Sequence, residues 1–233
     1  MQEIDPTEAQ ENLNDLGHLA SAVGHHVINA FSAVVSNAEI LRLKMAMNPP
    51  VDPSVLANMI ITTAMDAASV ARRLIDYTRP ITNIGDEYVE LDRLVADFVD
   101  RKRNEKIAGI SWSVDAAPIP PIRGQAAQIR SMLDEVVINA LEAADGRPIE
   151  IAISTSLDAR GWVALEIRDS GHGMEPEVLE RAVEPFFTTK SGHIGVGLSI
   201  ANGIWRRHKG TLSLRSAPGE GTTLRLCVEP AIH

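Results

Sequence analysis

Two adjacent histidines, His25 and His26, stand early in the sequence, in the stretch LGHLASAVGHHVINA from Leu16 to Ala30. An imidazole can act as nucleophile or base near neutral pH. Groups suited to a nucleotide come far downstream. Asp169-Ser170-Gly171-His172-Gly173 follows a strand-like run. Its glycines let backbone approach a flat ligand, and the aspartate can accept from an exocyclic amine. Gly195-Val196-Gly197-Leu198 opens a helical pattern, whose first N–H groups and dipole suit phosphate. Asn139 lies late in LDEVVINALEAA, between apolar residues, where its amide needs a partner; a metal-bound phosphate would serve. Glu184 to Lys190 reads EPFFTTK. Taken singly, these patterns also fit a glycine turn, a satisfied core amide, a core aromatic pair and a solvated lysine.

The elements that must position them fall into two regions. Asp5-Pro6-Thr7-Glu8 is a helix start, with a capping aspartate, a proline at the first helical position and a glutamate that completes a capping box. From there to about Met47 no proline intervenes. Leu13, Leu16, Leu19, Ala20, Val23, Val27, Ala30, Val34, Ala38 and Leu41 recur at helical spacing, over roughly 40 residues or about 60 Å. At about 100° per residue His25 lies about 200° around the helix from Val23, away from the apolar stripe, and His26 only about 60° from it. Asn29 is one turn after His25 on the same face. NPPVDP, Asn48 to Pro53, breaks this helix. A second runs to about Tyr77, with Leu56, Ile60, Thr63, Ala67, Val70, Leu74 and Tyr77 on one stripe, and Arg79-Pro80 stops it. A short connection makes the two antiparallel neighbours. Two helices bury little surface, so pairing with a second copy as a four-helix bundle is expected.

Residues 81–86 read as a linker between a helical hairpin at 1–80 and a mixed region at 87–233. In the latter, Leu91 to Val99, Gln125 to Ala144, Glu175 to Ala182 and Leu198 to Trp205 are helical patterns. Ile110 to Val114, Ile149 to Ser154, Val163 to Ile167, Leu212 to Leu214 and Thr223 to Val228 are strands, and DAAPIPPIRG is an irregular connection. The fold class is α+β: the hairpin, then an α/β sandwich with helices on one face of a mixed sheet.

Composition narrows the function. A net charge of -9 argues against a nucleic-acid partner. The single cysteine, Cys227, excludes an internal disulfide framework and fits a reducing compartment. No apolar run approaches the ~18 residues of a membrane span, and MQEIDPTEAQ lacks the features of a signal peptide. The expected location is the cytoplasm.

The order and spacing of the clusters resemble the ATP-binding domain of two-component sensor histidine kinases, of the GHKL type shared with gyrase B and Hsp90. VVINALEAA looks like the N box, with Asn139 at the magnesium-binding asparagine. DSGHGM looks like the first glycine box, with Asp169 at the adenine-reading aspartate. EPFFTTK, ending in Lys190, looks like the F box, and GVGLSIA, with Leu198, like the second glycine box. The tail HKGTLSLRSAPGEGTTLRL resembles the closing strands. LGHLASAVGHHVINAFSAVVSNAEIL is similar to the dimerisation and phosphoacceptor helix.

The resemblance implies ATP and Mg²⁺ as cofactors, Gly171, Gly173, Gly195 and Gly197 along the phosphates and lid, and His25 as phosphoacceptor. It places Asn29 where a polar residue positions water for dephosphorylation. It implies a homodimer and a separate response regulator whose receiver aspartate takes the phosphoryl group. Four residues depart from the pattern, the two smaller departures being Leu141, where a basic residue is frequent, and Gln125, where an aspartate is frequent. His26 stands where an acid is usual, as a base without fixed negative charge. Glu135 replaces a common N-box asparagine, where it can act as a base or coordinate magnesium. A histidine phosphotransfer protein with a vestigial nucleotide domain, and a plain ATPase with a structural bundle, are the rival readings.

Overall fold

The computed structural model describes residues 28, 31–45, 53–78, 87–107, 109–185, 187–190 and 195–231. Its contacts divide the chain into two compact units, Met1–Arg79 and Pro80–His233. The helix start at Asp5, the expected linker at 81–86 and His25, His26 and Asn29 lie outside the described residues.

In the first unit, helix α1 covers residues 31–45 and α2 covers Ser54–Thr78. The N–H of Ala57 donates to the carbonyl of Pro53, so the proline ends the break and opens the helix. Val34 and Leu41 of α1 and Leu56, Ile60 and Thr63 of α2 are half-buried, as their spacing predicts. Other large apolar side chains on the same helices stay in solvent: Phe31 is 62% exposed, Val35 56%, Leu43 63% and Met65 67%.

The second unit runs β1 (Tyr88–Val89), α3 (Leu91–Asn104), β2 (Ile110–Ala116), β3 (Ile122–Arg123), α4 (Ala126–Ala144), β4 (Ile149–Leu157), β5 (Val163–Asp169), α5 (Pro176–Arg181), α6 (Gly197–Arg207), β6 (Thr211–Ala217) and β7 (Gly221–Val228). Five strands form one sheet in the order β2-β4-β5-β7-β6. β2 and β4 are parallel and the other pairs antiparallel, so the sheet is mixed as expected. The parallel pair requires a crossover, and α4 lies within it.

Strand alternation sorts the sheet into two faces. Along one face the register aligns Val114, Ile153, Ile167, Leu224 and Leu214, and next to them Trp112, Ile151, Asp169, Thr222 and Ser216. Ile151, Ile153, Leu165, Ile167, Leu224 and Leu226 are buried there. The opposite face carries Arg168, Arg215 and Arg225, and Arg225 pairs with Glu166 across β5 and β7. Helices α4 and α6 bring Ile129, Met132, Leu133, Ile200, Ile204 and Trp205 into the core. The Trp205 indole donates to the carbonyl of Cys227 on β7 at 3.1 Å, satisfying its polar edge.

Two expectations change. The connection DAAPIPPIRG is not wholly irregular. It contains β3, which pairs antiparallel with β1 through Tyr88↔Arg123 and Val89↔Ile122. Two residues per strand are too few for an alternation pattern to show. Helix α3 also continues past Val99 to Asn104. Its apolar stripe stops at Val99, but Arg101, Lys102 and Arg103 in the last turn favour the helix C-terminus. Lys102 holds Asp134 of α4 at 2.9 Å, which fixes the added turn in place.

Candidate functional site

Helix α4 carries most of the site. Glu135, Asn139, Glu142 and Ala143 recur at helical spacing and share one side of it. Nothing local would put polar groups inside an otherwise apolar helix, so each needs a partner from elsewhere.

At one end of this row, Asn139 meets the start of α6. Gly197 is the first residue of that helix, and a Cβ there would lie 2.6 Å from Asn139 Nδ2 and 3.1 Å from Oδ1. A side chain at this position would have to displace the Asn139 amide from the helix N-terminus. Asn139 Nδ2 is buried and has no hydrogen-bond partner among the described residues. A donor buried beside the unpaired N–H groups of a helix start suits an anionic ligand. Gly195 precedes the helix at φ +71°, and Leu198 is half-buried beside it. Glu135, one turn before Asn139, is buried, with 7% of its surface exposed.

Asp169 occupies the other end. It is the last residue of β5 and continues the inward alternation of Leu165 and Ile167, so the strand aims a carboxylate where the preceding positions aim apolar groups. Its Oδ1 accepts from the N–H of Gly171 at 2.8 Å and of Thr222 at 3.2 Å. Burial pushes the Asp169 pKa above the ordinary carboxylate value; those two N–H donors and the positive charges of His172 and Lys190 act against burial, and the net direction is upward. The turn after it is packed backbone to backbone. Gly173 has φ +70°, and a Cβ on it would fall 1.9 Å from the carbonyl oxygen of Ala217. Gly171 sits against Ala143, the N–H of His172 donates to the Ala143 carbonyl at 3.0 Å, and the N–H of Gly219 donates to the His172 carbonyl at 2.7 Å.

Between the two ends, Lys190 Nζ lies 2.9 Å from Glu142 Oε2. The segment leading to it is held from the other side, where the Arg181 guanidinium covers the Phe187 ring at 4.1 Å and pairs with Glu184 at 2.9 Å.

The structure thus brings Asn139 to Gly197, and Asp169 to Gly171 and Gly173, along one helix. Sequence reading missed three residues that shape this region. Ala143 gives no signal, being one alanine among several. Gly221 has φ +77° and would place a Cβ 2.0 Å from the Asp169 carbonyl oxygen; in the sequence it stood only within the tail that resembles closing strands. His208 is buried at the end of α6. Its Nδ1 donates to the Ile204 carbonyl at 2.8 Å and its Nε2 accepts from the Gln125 N–H at 3.1 Å, which one neutral tautomer satisfies. Burial pushes its pKa below the ordinary imidazole value. It ties the end of α6 to the start of α4.

Residues 124–232 match the family described as histidine kinase-, DNA gyrase B-, and HSP90-like ATPase. The fold and the site of the C-terminal unit agree with that match. Over nearly its whole length the chain is also similar to sensor histidine kinases. It is 28% identical over 222 residues to the signal transduction histidine-protein kinase AtoS of Escherichia coli K12, covering 93% of this chain and 35% of that protein. It is 28% identical over 221 residues to the sensor histidine kinase ZraS of Klebsiella oxytoca, covering 93% and 46%. In fold it is similar to histidine kinase ThkA, from a crystal structure with response regulator protein TrrA, at a TM-score of 0.75 and 19% identity over 99% of this chain and 68% of that one. Together these support a two-component histidine kinase catalytic core. The chain spans less than half the length of the curated relatives named.

Proposed function

We propose that this chain is the core of a homodimeric histidine kinase that binds ATP with Mg²⁺ in its C-terminal unit and phosphorylates itself on His25. The observation that carries the nucleotide reading is the pairing of Asn139 with Gly197. A buried amide with a free donor, against a glycine at a helix start, fits a phosphate oxygen on its nitrogen and a metal on its oxygen. Mg²⁺ ordinarily takes one or two protein oxygens and completes its shell with water and substrate phosphate, and Asn139 and Glu135 are candidates to supply them. Asp169, pinned by two N–H groups on Oδ1, keeps Oδ2 as an acceptor for the exocyclic amine of adenine.

When bound, Mg²⁺ supplies neutralisation of the charge that develops on the transferred phosphoryl group. An imidazole nitrogen of His25 forms a bond to the γ-phosphorus as the bond to the β–γ bridging oxygen breaks, and ADP leaves. His26 takes the proton from the imidazole in place of the usual acid. The phosphoryl group then passes to an aspartate of a separate response regulator in the cytoplasm, and Asn29 positions water for its later hydrolysis, which releases inorganic phosphate and restores the aspartate. Apolar side chains exposed on α1 and α2, Phe31 and Met65 among them, support a second copy as the cover.

The test is incubation with γ-labelled ATP and Mg²⁺. The expected result is an acid-labile label on the protein that is absent from His25→Ala. An acid-stable label, or one retained in His25→Ala, would overturn the assignment.

A further inference from the structure

Glu142 stands where a polyphosphate site should not hold a carboxylate. It lies on α4 three residues after the Asn139 that faces Gly197 and one before the Ala143 that supports Gly171, so it is between the phosphate and adenine ends. A carboxylate there competes with a polyanion for any cation in reach. Its partner is Lys190, at 2.9 Å, and the side chains are 22% and 28% exposed, so water screens the pair only in part. The positive charge of Lys190 also reaches Asp169, where it favours the carboxylate. One cation is thus shared between two carboxylates at the site, while its segment is fixed by Arg181 on Phe187.

We propose that Glu142 is a positioning residue that stores Lys190 beside the site and yields it to the phosphates of an incoming nucleotide, so that the pair sets how strongly binding depends on phosphate number. This deepens the ATP reading and rests on it. Adenosine offers no phosphate, so the ion pair persists and Glu142 costs it little. ADP and ATP draw the lysine away, and each must replace the contact it breaks. Removing the Glu142 charge leaves Lys190 available in advance. The benefit then goes to phosphate-bearing ligands and requires the lysine.

The experiment is calorimetric binding of adenosine, ADP and ATP, with Mg²⁺, to the whole chain as wild type, Glu142→Gln, Lys190→Gln and the double variant. Glu142→Gln is expected to tighten ATP about threefold to fivefold, the range of a partly exposed ion pair, and to shift adenosine less than twofold. Lys190→Gln weakens ATP, and adding Glu142→Gln to it changes ATP less than twofold. The proposal is overturned if Glu142→Gln changes ATP by the same factor in both backgrounds, weakens it, or moves adenosine equally. A folded wild type that binds neither adenosine nor ATP overturns the nucleotide reading and this proposal together. Binding of ATP with equal factors in both backgrounds overturns this proposal alone.

Discussion

The two units complete their packing differently. In the second, the large apolar side chains are inside: Trp205 and Leu165 have no exposed surface, and glycines at 171, 173 and 197 close the remaining distances between backbone and neighbour. In the first, one stripe of α1 and α2 is half-buried while Phe31, Leu43 and Met65 stay more than 60% exposed. The second unit has a core of its own; the first, among the described residues, leaves large apolar side chains uncovered. Each side chain exposed this way forgoes about 1.5–3 kcal/mol of burial, so a partner that covers several stabilises the hairpin substantially. The contrast fits the proposed dimer, in which the second unit would form its site within a chain and the first would pack between chains.

The strongest way to break this comparison is Gly173→Ala. The added methyl overlaps the Ala217 carbonyl in a left-handed backbone region, and the expected loss is at least about 2–3 kcal/mol. Calorimetry should show the second unit's transition falling while that of the helices stays. A joint collapse of both would show that they do not fold separately. Next, Phe31→Glu should weaken self-association by about 10- to 100-fold, read by light scattering across a dilution series, because each of two copies loses a buried aromatic. A dimer as stable as wild type would place the interface elsewhere. Asp169→Asn should weaken adenine nucleotides by about tenfold or more, the worth of a hydrogen bond to a charged group, and leave the fold intact. Since the Asp169 pKa lies above the ordinary carboxylate value, wild-type affinity should also fall on acidification before an exposed aspartate would protonate.

The smallest effect concerns His208. Its folded pKa is below the ordinary 6.5, so the fold favours the neutral ring. Its contribution is present above pH 6.5 and is lost as pH falls through the folded pKa. Protonation turns the Nε2 acceptor of the Gln125 N–H into a donor facing a donor. His208→Gln should lower stability at pH 7.5 and flatten the acid dependence of the second unit, measured by urea titration at several pH values. An unchanged acid slope would assign that dependence to other groups.

Much of the second unit was legible because its patterns are long. The strand pattern from Val163 to Ile167 put the Asp169 cluster just after a strand, and the four-residue spacing of Glu135 and Asn139 put both on one side of α4. Bounds were short by a few residues where polar strand ends such as Ser216 carry ladder bonds without apolar side chains. The β1–β3 pair escaped notice because two residues hold no period. His208, Gly221 and Ala143 act through contacts made only after distant segments meet, and no local pattern encodes that. The 135-to-142 row illustrates the limit: sequence reading singled out Glu135 and Asn139 but not Glu142, and only the fold showed Glu142 beside Lys190, 48 positions away.

The position of β7 has a consequence for synthesis. Asp169 is held by Thr222, and the loop after it by Gly221 and Gly219, all contributed at or just before the last strand of the sheet. A ribosome that has made α4, β4 and β5 has made Asn139 and Asp169 but no pocket. Nucleotide capture by a nascent chain should therefore switch on only once residue 228 has cleared the exit tunnel, and a series of stalled chains would show it as a step, not a ramp.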